Sequence, residues 1–402
     1  MSNNKGIHKI IELLPWSDFQ DVHLKKDPGL FPIYISREYD IPFEIVSACT
    51  NIKKKSKESI NENGTLIKLP TLKNRIISLK DPRRLFFLLP LIKYIWKNRK
   101  NKVRYILFHA TDNTLTLVFF IKLFSPASKI WLKLDASCKN LEAVCNLIKK
   151  RNTFKQKLVS NRYIALYSKI NIITAETQAT FSILKNDPFF SNRNIELIPN
   201  GIEFIPNDKN FNKENIILSV ARFGSPEKNT ELFLSAISKL DLKDWTVYCV
   251  GTIENTFKTF LEEYFRKNTV LKNKIIFVGN INDKQTLNSY YNKAKVFVLP
   301  SRFESFGIAT LEAAVFGDYL ILTEVGAAKD FVKNNKYGII LPESAQGRQN
   351  EDIIEYSLTD TLQKIINKQI SVDEDMGERL ETFKNYAIQN IVKKQCISDW
   401  IK

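Results

Sequence analysis

The chain has three histidines, two methionines and five cysteines in 402 residues, and no apolar run long enough to cross a bilayer. Each scarcity removes a class of protein. The cysteines, Cys49, Cys138, Cys145, Cys249 and Cys396, are odd in number and scattered, with no C-x2-C pair. They read as buried thiols of a reducing compartment, neither a disulfide framework nor zinc ligands. Three widely spaced histidines predict no structural metal centre. The amino terminus, MSNNKGIHKIIELLPW, lacks the apolar core and cleavage pattern of a signal peptide, so the expected compartment is the cytosol. Internal repeats and low-complexity tracts are absent from the sequence.

Acidic residues are scarce in one half only. Residues 1–200 hold 34 Lys and Arg against 16 Asp and Glu, whereas residues 201–402 hold 26 against 27, so the whole net charge of +17 arises in the first half. Within it, residues 51–104 carry 16 basic and 3 acidic side chains, including Lys53 to Lys55, Arg83-Arg84 and Lys97 to Arg104. Such asymmetry suits a polyanion or an anionic membrane. Zinc-finger spacing, an RNP-like aromatic strand and a basic heptad array are all missing, so nucleic acid is not an expected partner. Arg83 to Lys97, RRLFFLLPLIKYIWK after Pro82, is apolar and aromatic between cations but too short to span. It reads as an interfacial segment or as an amphipathic core helix with a basic solvated side.

What is present is ample apolar content, 44% hydrophobic and 11% aromatic, enough for two domains of about 200 residues each. Short β-branched runs alternate with helical patterns, the signature of parallel α/β layers. The expected strands are Phe43 to Val46, Tyr105 to Phe108, Ile130 to Leu134 and Asn171 to Thr174, then Ile216 to Val220, Thr246 to Val250, Lys274 to Val278, Val296 to Leu299 and Tyr319 to Leu322. Asn113 to Phe124 reads as a crossover helix. Ile198-Pro199-Asn200-Gly201-Ile202-Glu203 and the polar stretch Pro206 to Asn215 mark a boundary. The expected domains are 1–200 and 201–385, with 386–402 within a long polar helix pattern, Asp375 to Lys402.

The densest chemistry lies in Val296 to Gly317, VFVLPSRFESFGIATLEAAVFG. A buried strand stops at Pro300, and a helix from Ile308 stops at Gly317. The loop between them feeds a helix N-terminus, whose free amides and dipole favour a phosphate. Glu304 hangs in that loop and Glu312 sits eight residues on, in the helix. A carboxylate accepts two hydroxyl hydrogen bonds at once, which is how acidic side chains hold ribose or sugar diols. Arg222 and Lys228 follow the strand Ile216 to Val220. They read as a fork and a point charge for a diphosphate, or as two solvated surface cations.

E-x7-E after a VLPS-type strand, with ESFG and the IPNGIE boundary, resembles the retaining, nucleotide-sugar-dependent glycosyltransferases of family 4. The resemblance implies the GT-B fold, an α/β architecture of two Rossmann-like parallel-sheet domains facing a cleft. It implies Glu304 beside the donor sugar, the Ser305, Phe306 and Gly307 amides on the diphosphate, and Glu312 on the ribose. Arg222 and Lys228 match the family's G-R-x5-K element, with Ala221 where Gly is usual. The backbone from Gly279 to Asn280 matches the segment lying against the base, and Thr323 to Ala327 resembles a later glycine turn. Gly29, in Lys26 to Pro32, resembles the first-domain loop facing the pyrophosphate, although Asp-Pro-Gly is also an ordinary turn. The C-terminal segment would return onto the first domain. One departure matters: Asp135 ends the strand where most of the family has a His-containing end. Asp135 would bind a donor hydroxyl, receive the acceptor proton, or merely cap a helix. His109 is the other histidine near such a strand end, and reads as packing or as orienting its neighbours.

The implied reaction moves a hexose-type sugar from a nucleoside-diphosphate sugar, UDP-linked by expectation, to a hydroxyl of a glycan or lipid-linked glycan, with retention. No metal or cofactor is implied. The sole Asp-x-Asp spacing, Asp373-Glu374-Asp375, follows no apolar strand and reads as a solvated cap. Surface-polysaccharide assembly in a bacterium, at the inner face of the membrane, is the expected setting. Two rivals remain at this level: a non-catalytic GT-B subunit that stabilises a partner transferase, and a phosphorylase or glycosidase using the carboxylates as acid and nucleophile.

Overall fold

Parallel strands need crossovers, and this chain supplies them twice. The computed structural model describes all residues except 1–8, 16–20, 51, 72–82, 204, 207–210, 343–347 and 373–375. The expectations at the extreme amino terminus, at Pro82, within the 206–215 stretch and at Asp373 to Asp375 therefore lie outside the described residues, as do the side chains of Arg83 and Arg84. The chain divides into unit 1, Met1–Glu203 with Tyr386–Lys402, and unit 2, Phe204–Asn385.

Unit 1 has strands β1 (Lys9–Leu14), β2 (Phe43–Cys49), β3 (Ser56–Asn61), β4 (Gly64–Pro70), β5 (Val103–Phe108), β6 (Lys129–Lys133), β7 (Ile172–Ala175) and β8 (Ile195–Leu197). They lie in the order β3-β4-β2-β1-β5-β6-β7-β8. Only β3 is antiparallel, and its polar Ser-Lys-Glu-Ser face suits an edge. Helices α1 (Asp27–Tyr39), α2 (Arg83–Lys97), α3 (Asp112–Phe124), α4 (Cys138–Lys149), α5 (Phe154–Tyr167) and α6 (Gln178–Asn186) cover it. α2 to α6 share one core with Leu13, Tyr105 and Leu132. α1 and the C-terminal residues Ile388 to Ile401 share the opposite one with Ile10, Ile106 and Trp131. Burial on both faces explains why Tyr105 to Phe108 of β5 is a continuous apolar run rather than an alternating one.

Two expectations are corrected here. Asp27-Pro28-Gly29 is not a loop but the first turn of α1, where Pro28 is preorganised and its missing N–H costs nothing. A Cβ on Gly29 would fall 2.3 Å from the Leu24 backbone, so the glycine is there for close packing of that turn. The tail is not one long helix. Ile202 donates to the Tyr386 carbonyl (3.0 Å) and accepts from the Ile388 amide (2.9 Å), so extended pairing interrupts helix between Met376–Phe383 and the short turns Ile388–Ile391 and Gln395–Ile401. Arg104 Nε donates to the Trp400 (2.8 Å) and Ile401 (3.1 Å) carbonyls and Nη2 to that of Lys402 (3.1 Å), tying this tail under β5.

Unit 2 has strands β9 (Glu214–Val220), β10 (Thr246–Val250), β11 (Ile275–Gly279), β12 (Ala294–Leu299), β13 (Tyr319–Thr323) and β14 (Gly338–Leu341). All are parallel, in the order β11-β10-β9-β12-β13-β14. Helices α7 (Thr230–Ser238), α8 (Lys258–Lys267), α9 (Lys284–Lys293), α10 (Ile308–Val315), α11 (Ala328–Val332), α12 (Arg348–Ile366) and α13 (Met376–Phe383) complete it. In chain order from β9 this is a 3-2-1-4-5-6 sheet, so connections leave β9 and β12 in opposite directions and open a crevice at their carboxyl ends.

Candidate active site

The crevice of unit 2 lies where β9 and β12 adjoin, and each strand delivers one charged group to it. After β9, Pro226–Lys228 forms a 3-10 turn, and Asn229 at φ +51 redirects the chain into α7. After β12, the loop from Ser301 leads to α10 through Gly307 at φ +99, a conformation only glycine adopts without strain. The two segments are stitched together: the Arg302 amide donates to the Glu227 carbonyl (2.8 Å) and its guanidinium to that of Pro226 (2.8 Å). The result is contact between Lys228 Nζ and Glu304 Oε1 at 2.5 Å, with Ser301 Oγ donating to the same oxygen at 2.8 Å. Both side chains are mostly buried. The N-cap of α10 is Gly307, which makes no side-chain cap hydrogen bond, and a helix start of this kind suits an anion.

Glu312 is held one turn further on. Its Oε2 accepts from Tyr291 Oη at 2.9 Å and its Oε1 meets the Lys284 ammonium. Tyr291 is fully buried and stacks on Phe316. Burial, and next the Glu312 carboxylate, push its phenol well above the usual range, so it remains a hydrogen-bond donor. Gly326, at φ +57, lets the turn after β13 lean on the loop; a Cβ there would fall 2.8 Å from the Phe306 carbonyl and 2.9 Å from Glu304 Cβ. Gly279, at φ +85, has nothing within 4 Å of its missing Cβ, leaving its backbone open to approach.

Unit 1 has its own polar cluster at the carboxyl ends of its central strands. His109 (φ 57) and Asp135 (φ 41), following β5 and β6, are both left-handed, a costly backbone state for such residues. Their side chains approach to 3.8 Å between His109 Nδ1 and Asp135 Oδ2, while Asp135 Oδ1 is buried without a hydrogen-bond partner. Beneath them the fully buried Lys133 ammonium meets Asp27 (3.1 Å), Glu176 (3.2 Å) and the Asn200 side-chain oxygen (2.5 Å). Desolvation outweighs Lys133 for both carboxyls, pushing Asp27 up to about 6 and Glu176 up to about 7. Glu12, in the middle of β1, is buried with both oxygens unpartnered; burial, then Asp27, raises it well above the ordinary range.

Residues 201–371 match the model of the family described as glycosyl transferases group 1. Unit 2 is a group 1 glycosyl transferase unit. A glycosyltransferase of Methanocaldococcus jannaschii, itself uncharacterized, is 27% identical over 182 residues, 45% of this chain and 43% of that protein. The lipopolysaccharide core biosynthesis mannosyltransferase LpsB of Rhizobium meliloti is 32% identical over 111 residues, 26% of this chain and 30% of that protein. The match thus spans less than half the length of these curated relatives. Among solved structures, the pneumococcal O-GlcNAc transferase GtfA, in complex with UDP and GlcNAc, has a TM-score of 0.68 at 11% identity, covering 98% of this chain and 99% of that one. The chain has the GT-B fold.

Within the group 1 unit the residues singled out by sequence divide into two sets. Glu304, Lys228, Ser305, Gly307 and Glu312 gather at the β12–α10 junction. Phe306 contributes backbone alone, since its ring is buried against Phe331. Arg222 does not join Lys228: it pairs with Glu254 (3.2 Å) and Glu227 (3.5 Å) and is largely exposed. Asn280 is exposed and donates to Asn282 (2.7 Å). Sequence reasoning missed Tyr291, Lys284 and Ser301. The Tyr290-Tyr291 pair in the largely polar α9 was the available signal.

Proposed function

We propose that this chain is a retaining glycosyltransferase that transfers a hexose from a nucleoside-diphosphate sugar, with UDP as the nucleotide, to a hydroxyl of a glycan or lipid-linked glycan. The observation that carries the reading is the Lys228–Glu304 contact beside the uncapped start of α10, at the crevice where α/β sheets bind phosphates. On donor binding, Lys228 exchanges Glu304 for the diphosphate, and the α10 amides take the remaining phosphate oxygens. Glu304, released, lies beside the sugar and stabilises the oxocarbenium-like charge as the diphosphate departs; preorganised charge of this kind supplies most of the rate enhancement in many enzymes. Glu312, oriented by Tyr291, receives the ribose diol. Arg222 joins the diphosphate only if it leaves Glu254. Asp135 receives a donor hydroxyl or the acceptor proton, with His109 beside it. The setting proposed is bacterial surface-polysaccharide synthesis in the cytoplasm, beside a membrane. Among the described residues no helix is long and apolar enough to cross one.

The deciding experiment is a thermal-shift screen of nucleoside diphosphates and their sugars against wild type and Glu312→Ala. One nucleotide should raise the melting temperature selectively, and the variant should lose most of that rise. No rise with any nucleotide would remove the donor reading, while binding without turnover would favour the non-catalytic subunit. Tyr291→Phe should weaken the same nucleotide by about tenfold, since a hydrogen bond to a charged group contributes about 1.5–3 kcal/mol. Isothermal titration tests this; an unchanged affinity would mean that Glu312 needs no orienting partner. Transfer should also persist in excess chelator, and loss restored by a divalent ion would overturn the metal-free reading.

A further inference from the structure

Large apolar side chains left in water cluster on one part of unit 1. Leu85, Phe86, Leu89 and Trp96 are exposed on α2, Phe119 and Leu123 on α3, and Phe154 and Leu158 on α5. α3 packs against both α2 and α5, and all three cover the same side of the sheet, so the eight residues are carried by neighbouring helices of that side. Phe154 is 85% exposed, the extreme case. So many large apolar side chains left exposed on neighbouring helices mark a docking surface.

The charges on the same helices say what docks. α2 and α5 contain no acidic residue at all, while Lys93, Lys97, Lys155, Lys157 and Arg162 alternate with the apolar positions and are exposed. Arg99 lies 3.9 Å from the Trp96 ring centroid, a pairing that keeps an aromatic and a cation at one level. The core of a protein–protein interface is depleted of lysine, and here lysines interrupt the patch throughout. Apolar and aromatic anchors with interleaved cations are what an anionic lipid surface selects: rings enter the acyl boundary while ammonium groups remain among the headgroups.

We infer that the α2–α3–α5 face of unit 1 docks on an anionic lipid surface, with Phe86, Trp96 and Phe154 as its apolar anchors and the α2 and α5 lysines as its headgroup contacts. This surface is independent of the nucleotide crevice in unit 2, and its test needs no donor.

The full chain would be co-sedimented with vesicles of phosphatidylcholine alone and of equal parts phosphatidylcholine and phosphatidylglycerol, at low and high salt. Binding should require the anionic lipid and weaken as salt rises. Lys155→Glu with Lys157→Glu should weaken it by at least about fivefold per position. Phe86→Ser with Phe154→Ser should weaken it at least tenfold at equal charge. Val270→Ser, at an exposed apolar residue of unit 2, should change nothing. Equal melting temperatures establish that the variants are folded, since every position is on the surface. Failure to pellet with anionic vesicles at low salt would overturn the inference, as would equal binding by all variants. A concentration-dependent dimer in sedimentation velocity, abolished by Phe86→Ser with Phe154→Ser while vesicles remain unbound, would assign the face to a second copy instead.

Discussion

Glu304→Gln is expected to lower the transfer rate by about 10²–10³-fold while leaving nucleoside-diphosphate binding almost intact, the usual size of effect when one preorganised electrostatic group is removed. Gln keeps the shape and can still accept from Ser301, so the loop should hold. What it loses is the charge that meets Lys228 and, in the proposed mechanism, faces the sugar as the leaving group departs. Single-turnover rates and nucleotide titration separate these roles. If the rate constant falls while affinity holds, the carboxylate acts in the transition state. If affinity falls in parallel, Glu304 serves only to position Lys228. Lys228→Ala is the complementary arm and should cost affinity as well as rate, because its cation is assigned to the diphosphate in both the ground state and the transition state.

The second large effect is on stability. Lys133→Met should destabilise the protein by about 3–5 kcal/mol, or roughly 10 °C in melting temperature, because it strands Asp27, Glu176 and the Asn200 oxygen in a buried site. Both carboxyls already titrate high, Asp27 near 6 and Glu176 near 7, against ordinary values of 3.8 and 4.5. A folded-state pKa raised in this way gives stability that is fully present below about pH 4 and is lost as pH rises through 7. Glu176→Gln should therefore flatten the decline in melting temperature between pH 5 and 8 relative to wild type. Combining it with Lys133→Met should recover part of the loss, since one stranded charge disappears. Equal melting curves for Lys133→Met and wild type at pH 7 would mean that the cluster is hydrated and contributes nothing.

Runs such as Tyr105 to Phe108 and Val296 to Leu299 were readable as strands because a parallel sheet buries both faces and needs no alternation. β1 was not read, since Glu12 interrupts it; that residue is fully buried in a central strand, its carboxyl raised well above the ordinary range by burial and then by Asp27. The β3–β4 hairpin was hidden among lysines that an edge strand tolerates. In the crevice, the eight-residue spacing put one glutamate on the loop and the other on α10. Sequence distance could not say where Arg222 turns, because Lys228 lies six positions on, at the end of a 3-10 turn. Nor could it reveal Tyr291, which reaches Glu312 from the preceding crossover helix, 21 positions away. Asp-Pro-Gly was ambiguous for a different reason: the features that favour a turn also favour the first turn of a helix.

Unit 1 is assembled from two stretches of chain, Met1–Glu203 and Tyr386–Lys402, with all of unit 2 between them. That arrangement has a consequence for biosynthesis. At about 5–20 residues per second, a ribosome needs roughly 10–40 seconds to make the intervening segment. Throughout that time the core that Ile388, Ile391 and Trp400 will complete with Ile10, Phe31 and Trp131 is unfinished. The newborn chain thus carries an unfinished apolar core through nearly half of its translation, the kind of exposed surface that chaperones bind. Its yield in a heterologous host should then respond to the speed of translation across the middle of the message more than to the stability of the finished fold.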